Sequence, residues 1–220
     1  MEVRPFARTE AGTRASTLGR MRGRAASVLS RALLVTLFLA FAWANFQRWR
    51  ATGEPSGLGT TLLEGWVAVL FMIRRPTRQV SSRRLAWVAA PIGSFAMLLA
   101  RPASGGVPQL PAEALQLLGV AVALLSLGTL GRSFGLVAAN RGVKTGGPYS
   151  LVRHPAYTGY LIAYFAYCAE NPSLRNVALF FLSTAFQLVR IREEEQVLSA
   201  DEGYRDYTSR VRFRLVPYVY

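Results

Sequence analysis

The sequence predicts an all-α, polytopic membrane protein with five or six transmembrane helices, and three observations carry that prediction. Apolar residues make up 51% of the chain and charged residues only 17%. Six apolar stretches recur, at residues 32–46, 58–73, 85–100, 112–131, 156–169 and 174–189. No amphipathic segments lie between them to build a water-facing surface. The basic residues alternate as well. With the N-terminus placed inside, the inner segments hold 22 Lys and Arg residues and the outer ones only Arg48, Arg50, Arg101 and Arg175. That asymmetry is the one that sets cytoplasmic loops.

Residues 1–27 are polar, arginine-rich and poor in acid, and read as a disordered basic tail. An arginine-rich head before a run ending AFAWA imitates a secretory signal, but it is long for one and five further apolar segments follow. Apart from 112–131, each apolar stretch is shorter than the roughly 20 residues an upright crossing requires, so interfacial residues and snorkelling arginines must extend them. GEPSG at 53–57 joins the first two stretches. Glu64 sits in the second, near its outer end, and is expected to reach the interface, although a carboxylate inside a membrane is a functional suspect. RRPTRQVSSRR at 74–84 forms an inner loop and RPASGGVPQLP at 101–111 an outer one. Between them Pro91 and Gly93 interrupt the third stretch, where a kink is expected with no functional need. The stretch at 156–169 is short, and with 174–189 it makes either two full spans or a tight hairpin.

Residues 28–131 thus form a transmembrane scaffold, and 132–220 carry nearly all the dense polar and aromatic groups. On the topology above both polar segments, 132–160 and 190–220, face the cytoplasm, where they can build one site. Several chemistries are excluded by inventory. The single histidine, His154, and the single cysteine, Cys168, cannot make a zinc site unless carboxylates complete it, and no HExxH or CxxC spacing exists. Cys168 lies in an apolar run and reads as packing. Phosphate-cradling glycine motifs are missing. The net charge of +14 is dispersed over four inner segments with no groove-reading motif, so it reports topology and attraction to anionic membrane lipids, not nucleic acid.

TGGPYSLVRHPAYTG at 145–159 concentrates the chemistry. Gly146, Gly147 and Pro148 make a turn, and Pro155 suits the first position of a helix that His154 precedes. Free N–H groups at such a turn can receive an anion, and Tyr149, Tyr157 and Tyr160 offer faces to a cation. A loop that merely caps a helix, with tyrosines in an interfacial belt, satisfies the same residues. Further on, Arg190 and Glu194 share a helix face at four-residue spacing, either as an ordinary ion pair or as part of a site. The run Glu193–Glu195 supplies the anionic counterweight a cationic ligand would need.

GPYSLVRHPAYTG, then NP at 171–172, EEQVL at 194–198 and YRDYTSRVRFRLVP at 204–217, resemble in sequence and order the isoprenylcysteine carboxyl methyltransferase family and its bacterial relatives, which are related to the phospholipid methyltransferases. The resemblance covers residues 132–217. It implies S-adenosylmethionine as methyl donor, bound on the cytosolic side of a bacterial inner membrane. It also implies a lipophilic acceptor, a small molecule or a lipid-modified substrate, entering from the bilayer. Carried over by position, Val143 and Lys144 would line the cofactor through backbone, with Tyr149 beside them. His154, Pro155 and Tyr157 follow from RHPxY, Glu194 completes the cofactor shell, and Arg190 orients the acceptor. Lys144 stands where an apolar residue is common in the family. The catalytic candidates are Arg190, Glu194 and His154. A carboxylate acceptor, the favoured one, needs no general base, whereas a phenol or amine would lose a proton to His154 or a glutamate. Phospholipid amines and small phenols are the alternative acceptors. An NADPH-dependent sterol or enone reductase shares RHPAY and the RLVPYVY ending, but such enzymes usually carry Asn where this chain has Ala156.

Overall fold

The computed structural model describes residues 10–77, 79–102 and 110–219, with side chains from residue 27 onward. The helices are α1 (Glu10–Thr52), α2 (Pro55–Ile73), α3 (Arg84–Phe95), α4 (Leu110–Leu130), α5 (Pro155–Glu170), α6 (Leu174–Leu198) and α7 (Glu202–Arg210). A 3-10 turn at Ala96–Leu99 prolongs α3. Four segments are long and apolar enough to cross a membrane: Ser27–Thr52, Pro55–Ile73, Leu110–Ser133 and Leu174–Leu198. α3 with its turn and α5 are shorter, and both lie alongside these four. α1 takes in most of the stretch expected as a tail, in keeping with its Ala, Arg, Leu and Met content; residues 1–9 lie outside the described residues.

Hydrogen bonds sort the connections into two ends. At one end Ser56 N donates to Glu113 (3.2 Å), and Asn176 both accepts from Arg101 N (3.1 Å) and donates to its carbonyl (2.8 Å). At the other, Arg75 N donates to Arg132 O (2.8 Å), Ser81 N to Ala138 O (2.9 Å) and Arg153 N to Phe213 O (2.9 Å). Every loop from the basic inner set therefore meets at one end. Local chemistry starts the helices that build it. Pro155 occupies the first turn of α5 after His154. Ser173 caps α6 by accepting from Asn176 N (3.1 Å), and Asp201 caps α7 by accepting from Gly203 N (2.9 Å).

α4 and α5 approach until their backbones touch. A Cβ on Gly119 would lie 2.5 Å from Ala163 N, and one on Gly159 would lie 2.5 Å from Ala123 N. Each helix presents a Gly-x-x-x-Ala pair, the spacing that lets apolar helices meet without side chains between them. Phe38, Phe71, Leu127 and Phe134 fill the centre. Phe71 stacks on Phe38 (5.6 Å between centroids) and takes Phe134 edge-on (5.0 Å).

The interruption in α3 does have a purpose in the packing. Pro91 lies inside α3, and at Gly93 the helix comes against α6, where a Cβ would stand 3.2 Å from both Arg190 Cδ and Gln187 N. The Gly93 carbonyl accepts from Ser183 Oγ (3.0 Å) and Gln187 Nε2 (3.3 Å). The break thus exposes a backbone acceptor to polar groups of α6 that would otherwise be stranded in the core.

Candidate functional site

α6 runs on past the start of α5, which sets Glu193–Glu195 beside His154. Successive helical residues point about 100° apart, so three adjacent glutamates cannot share one task. Glu193 is buried and pairs with Arg83 of the inner loop (2.9 Å). Glu195 binds Arg153 (2.8 Å), Arg214 (2.8 Å) and His154 Nε2 (3.3 Å), tying α6 to the segment before α5 and to the C-terminal strand of backbone. Only Glu194 lines the cavity between the helices. The expectation that the whole run forms an anionic counterweight is corrected to one carboxylate.

Glu194 accepts from the Tyr157 hydroxyl. His154 Nδ1 lies 3.8 Å from its other oxygen, and Arg190 Nη2 approaches at 3.8 Å. The Arg190 guanidinium sits over the Tyr157 ring, 5.1 Å from its centroid. It donates through Nη1 to Ser94 Oγ (2.7 Å) and through Nη2 to Leu136 O (3.0 Å), while Nε is buried with no acceptor. Arg190, Tyr157 and His154 are each at least nine-tenths buried.

These side chains line a cavity of about 540 Å³, at the place, here called its neck, where Tyr149 of the loop side lies near Glu194 and Tyr160 of the helix side lies near Arg190. On the side of the inner loops its wall includes Gly142, Val143, Lys144, Tyr149, Tyr204 and Tyr207. On the side of the helices it includes Asn45, Leu63, Glu64, Met97, Tyr160 and Tyr164. One cavity therefore has a wall of inner-loop residues and a wall of membrane-helix residues. The segment His154–Tyr157 is held against the C-terminal residues by His154 N to Arg214 O (2.8 Å) and Thr158 Oγ1 to Leu215 O (2.7 Å).

Among the residues singled out from sequence, the structure brings Val143, Lys144, Tyr149, His154, Tyr157, Arg190 and Glu194 to one cavity. Pro155 is buried and starts α5 without lining that cavity. Glu64, expected at the interface, is instead 5% exposed and lies on the cavity wall, with Asn45 Nδ2 donating to it (3.0 Å). Its position follows from α1 packing across it, which no feature of its own stretch reveals. Sequence reasoning also passed over Tyr164 and Tyr167. With Tyr157 and Tyr160 they make a ladder along one face of α5, at spacings of three and four residues that were there to be read.

Electrostatics on the loop side follow from burial. The Tyr149 phenol is pushed above its ordinary range by burial and then by the Glu194 charge. Burial raises Tyr207 to about 12; its hydroxyl donates to Tyr149 O (2.7 Å). Arg141 is lowered to about 10 by burial and by Arg74 nearby, and its guanidinium lies across Gly135, where a side chain would collide. Asp201 is held below its ordinary value first by a hydrogen bond from Asn140 (3.1 Å). Among the described residues no group of three or more His, Cys, Asp or Glu is placed to hold a metal ion.

Residues 111–204 match the family model described as phospholipid methyltransferase, a span that runs from α4 through the neck to α7. The structure is also similar to that of the eukaryotic intramembrane Ras methyltransferase, isoprenylcysteine carboxyl methyltransferase, at 19% identity and a TM-score of 0.41, covering 88% of this chain and 77% of that one. No curated protein matches the chain. The matched span holds His154, Tyr157, Arg190 and Glu194, and it overlaps two of the four segments long and apolar enough to cross a membrane.

Proposed function

We propose that this protein is a membrane methyltransferase that uses S-adenosylmethionine, bound on the loop side of the cavity at the cytoplasmic face of a bacterial inner membrane, and that it esterifies a lipophilic carboxylate reaching the neck from the membrane helices. The observation that carries the reading is the neck itself. A carboxylate, a phenol and a guanidinium meet on the wall of a cavity lined by both inner-loop and membrane-helix residues, inside the span that matches the phospholipid methyltransferase family model.

The residues present suit the cofactor. The cavity lies within the roughly 300–1,000 Å³ usual for small-molecule sites. Tyr149 and Tyr157 offer aromatic faces, and Glu194 a single negative charge, to a sulfonium. Val143 and Lys144 line the cavity, and a backbone contact with the cofactor would serve Lys144 as well as an apolar residue because its side chain is exposed. When bound, S-adenosylmethionine supplies an electrophilic methyl group.

The protein's own residues then have two tasks. Arg190 orients the acceptor. Two of its nitrogens are committed to Ser94 and Leu136, which fixes the guanidinium beside the cavity it lines, and its charge attracts an anionic oxygen there. The second task is to exclude water, and the buried Tyr157, His154 and Arg190 do so at the neck. A carboxylate already carries the electron pair it donates and no proton has to leave, so His154 can stay committed to Glu195. Holding two reactants in line contributes on the order of 7–11 kcal/mol to such a transfer.

The test is methyl transfer from isotopically labelled S-adenosylmethionine to lipid extracts and to added long-chain acids. Alkali releases label from a methyl ester as methanol but leaves N-methyl and phenolic O-methyl groups intact. The expected result is alkali-labile label in lipid, lost in Arg190→Ala. Alkali-stable label would move the acceptor to an amine or phenol, and no label in any extract would count against the enzyme class.

A further inference from the structure

The membrane half of the cavity holds a carboxylate that the chemistry above does not use. Glu64 lies nine residues from Pro55 and nine from Ile73 in α2, so it is about 13 Å from either end of the helix. It is buried, lines the cavity, and accepts from Asn45 through Oε2. Among the described residues Glu64 makes no ion pair. Arg48, one turn beyond Asn45 on α1, is committed to Glu54 (2.7 Å), and Arg190 to Ser94 and Leu136. The titratable groups that face Glu64 are the phenols Tyr160 and Tyr164, and Tyr160 stands beside both Glu64 and Arg190.

A carboxylate far from water and without a cation is costly, and buried charges are ordinarily paired or coordinated. Asn45 satisfies one oxygen and contributes no charge. We propose that a ligand provides the missing cation: Glu64 recognises a protonated amine on the lipophilic acceptor, on the helix side of the cavity and apart from the group Arg190 holds. Tyr160 and Tyr164, stacked with centroids 6.0 Å apart and planes at 14°, wall the same cavity and offer faces to that cation. The acceptor class that results is an amphiphile with an anionic group for Arg190 and an ammonium group for Glu64. The word acceptor rests on the methyltransferase reading; the amine site does not.

A purely structural role is the rival, since the Asn45 contact also staples α1 to α2. Glu64→Gln separates the two, because a glutamine oxygen still accepts from Asn45 while the charge is gone, and Glu64→Asp keeps the charge. The full-length protein would be placed in zwitterionic nanodiscs and titrated with dodecylamine, dodecanol and dodecanoate, empty nanodiscs serving as the reference. Dodecylamine is expected to bind wild type at least about tenfold more tightly than dodecanol. Glu64→Gln is expected to erase that preference with its melting temperature unchanged, and Glu64→Asp to retain part of it. An equal preference in wild type and Glu64→Gln, or none in wild type, would overturn the proposal. S-adenosylmethionine binding is measured on the same samples. Binding of the cofactor without an amine preference defeats this inference alone, and an amine preference without cofactor binding defeats the methyltransferase reading alone.

Discussion

Glu194 and Glu195 are neighbours in sequence and do different work. Glu195 is anchored by Arg153, Arg214 and His154, so it holds the segment before α5 against α6 and the C-terminal residues. Glu194 touches that anchor only at 3.8 Å and serves the cavity. Glu195→Gln is therefore expected to cost about 1–3 kcal/mol through charge-assisted hydrogen bonds left without their acceptor, seen as a lower melting temperature. Glu194→Gln is expected to leave melting nearly unchanged; equal losses in both variants would show that the two glutamates share one structural role. At this scale the sequence disclosed much. The spacing of Arg190 and Glu194 and the RHPxY element named side chains that do meet in one cavity. It did not disclose which of three glutamates faces inward, because that depends on how α6 is rotated against α5.

Between elements, the Gly119 and Gly159 contact decides where α5 stands, and so where Tyr157 and the tyrosine ladder point. Gly159→Leu is expected to force α4 and α5 apart at a cost of about 1–3 kcal/mol or more, lowering the melting temperature and the yield of folded protein. Gly128, also on α4, would meet nothing within 4 Å with a Cβ. Gly128→Ala is accordingly expected to be neutral or slightly stabilising, by up to about 1 kcal/mol. Similar behaviour of the two variants would refute the close crossing. The Gly-x-x-x-Ala pairs were present in the sequence at Gly119 and Ala123 and at Gly159 and Ala163, submerged in long apolar runs where small residues carry little signal alone. The break at Pro91 and Gly93 was visible too, but its use in presenting Ser94 and the Gly93 carbonyl to α6 required the partner helix.

Among the described residues the molecule has a polar end gathered from the basic loops at 74–84 and 132–153 and the C-terminal residues, and an apolar body of packed helices, with a cavity lined by both. Composition and the alternation of basic loops made that architecture legible, since both are properties of long segments that tolerate errors of a few residues at the ends. The depth of Glu64 was not legible: a shift of a few residues in the end of α2 moves a side chain between interface and interior, and only the packing of α1 settles it. The central claim is that this cavity binds S-adenosylmethionine against Glu194. Its most direct test is equilibrium binding of S-adenosylmethionine to the purified full-length protein, wild type beside Glu194→Ala, with NADPH as competitor. The account predicts saturable binding that NADPH leaves undisturbed and that Glu194→Ala weakens by roughly tenfold or more, since the sulfonium loses the carboxylate that faces it. No saturable binding to folded wild-type protein, or displacement by NADPH, would contradict it.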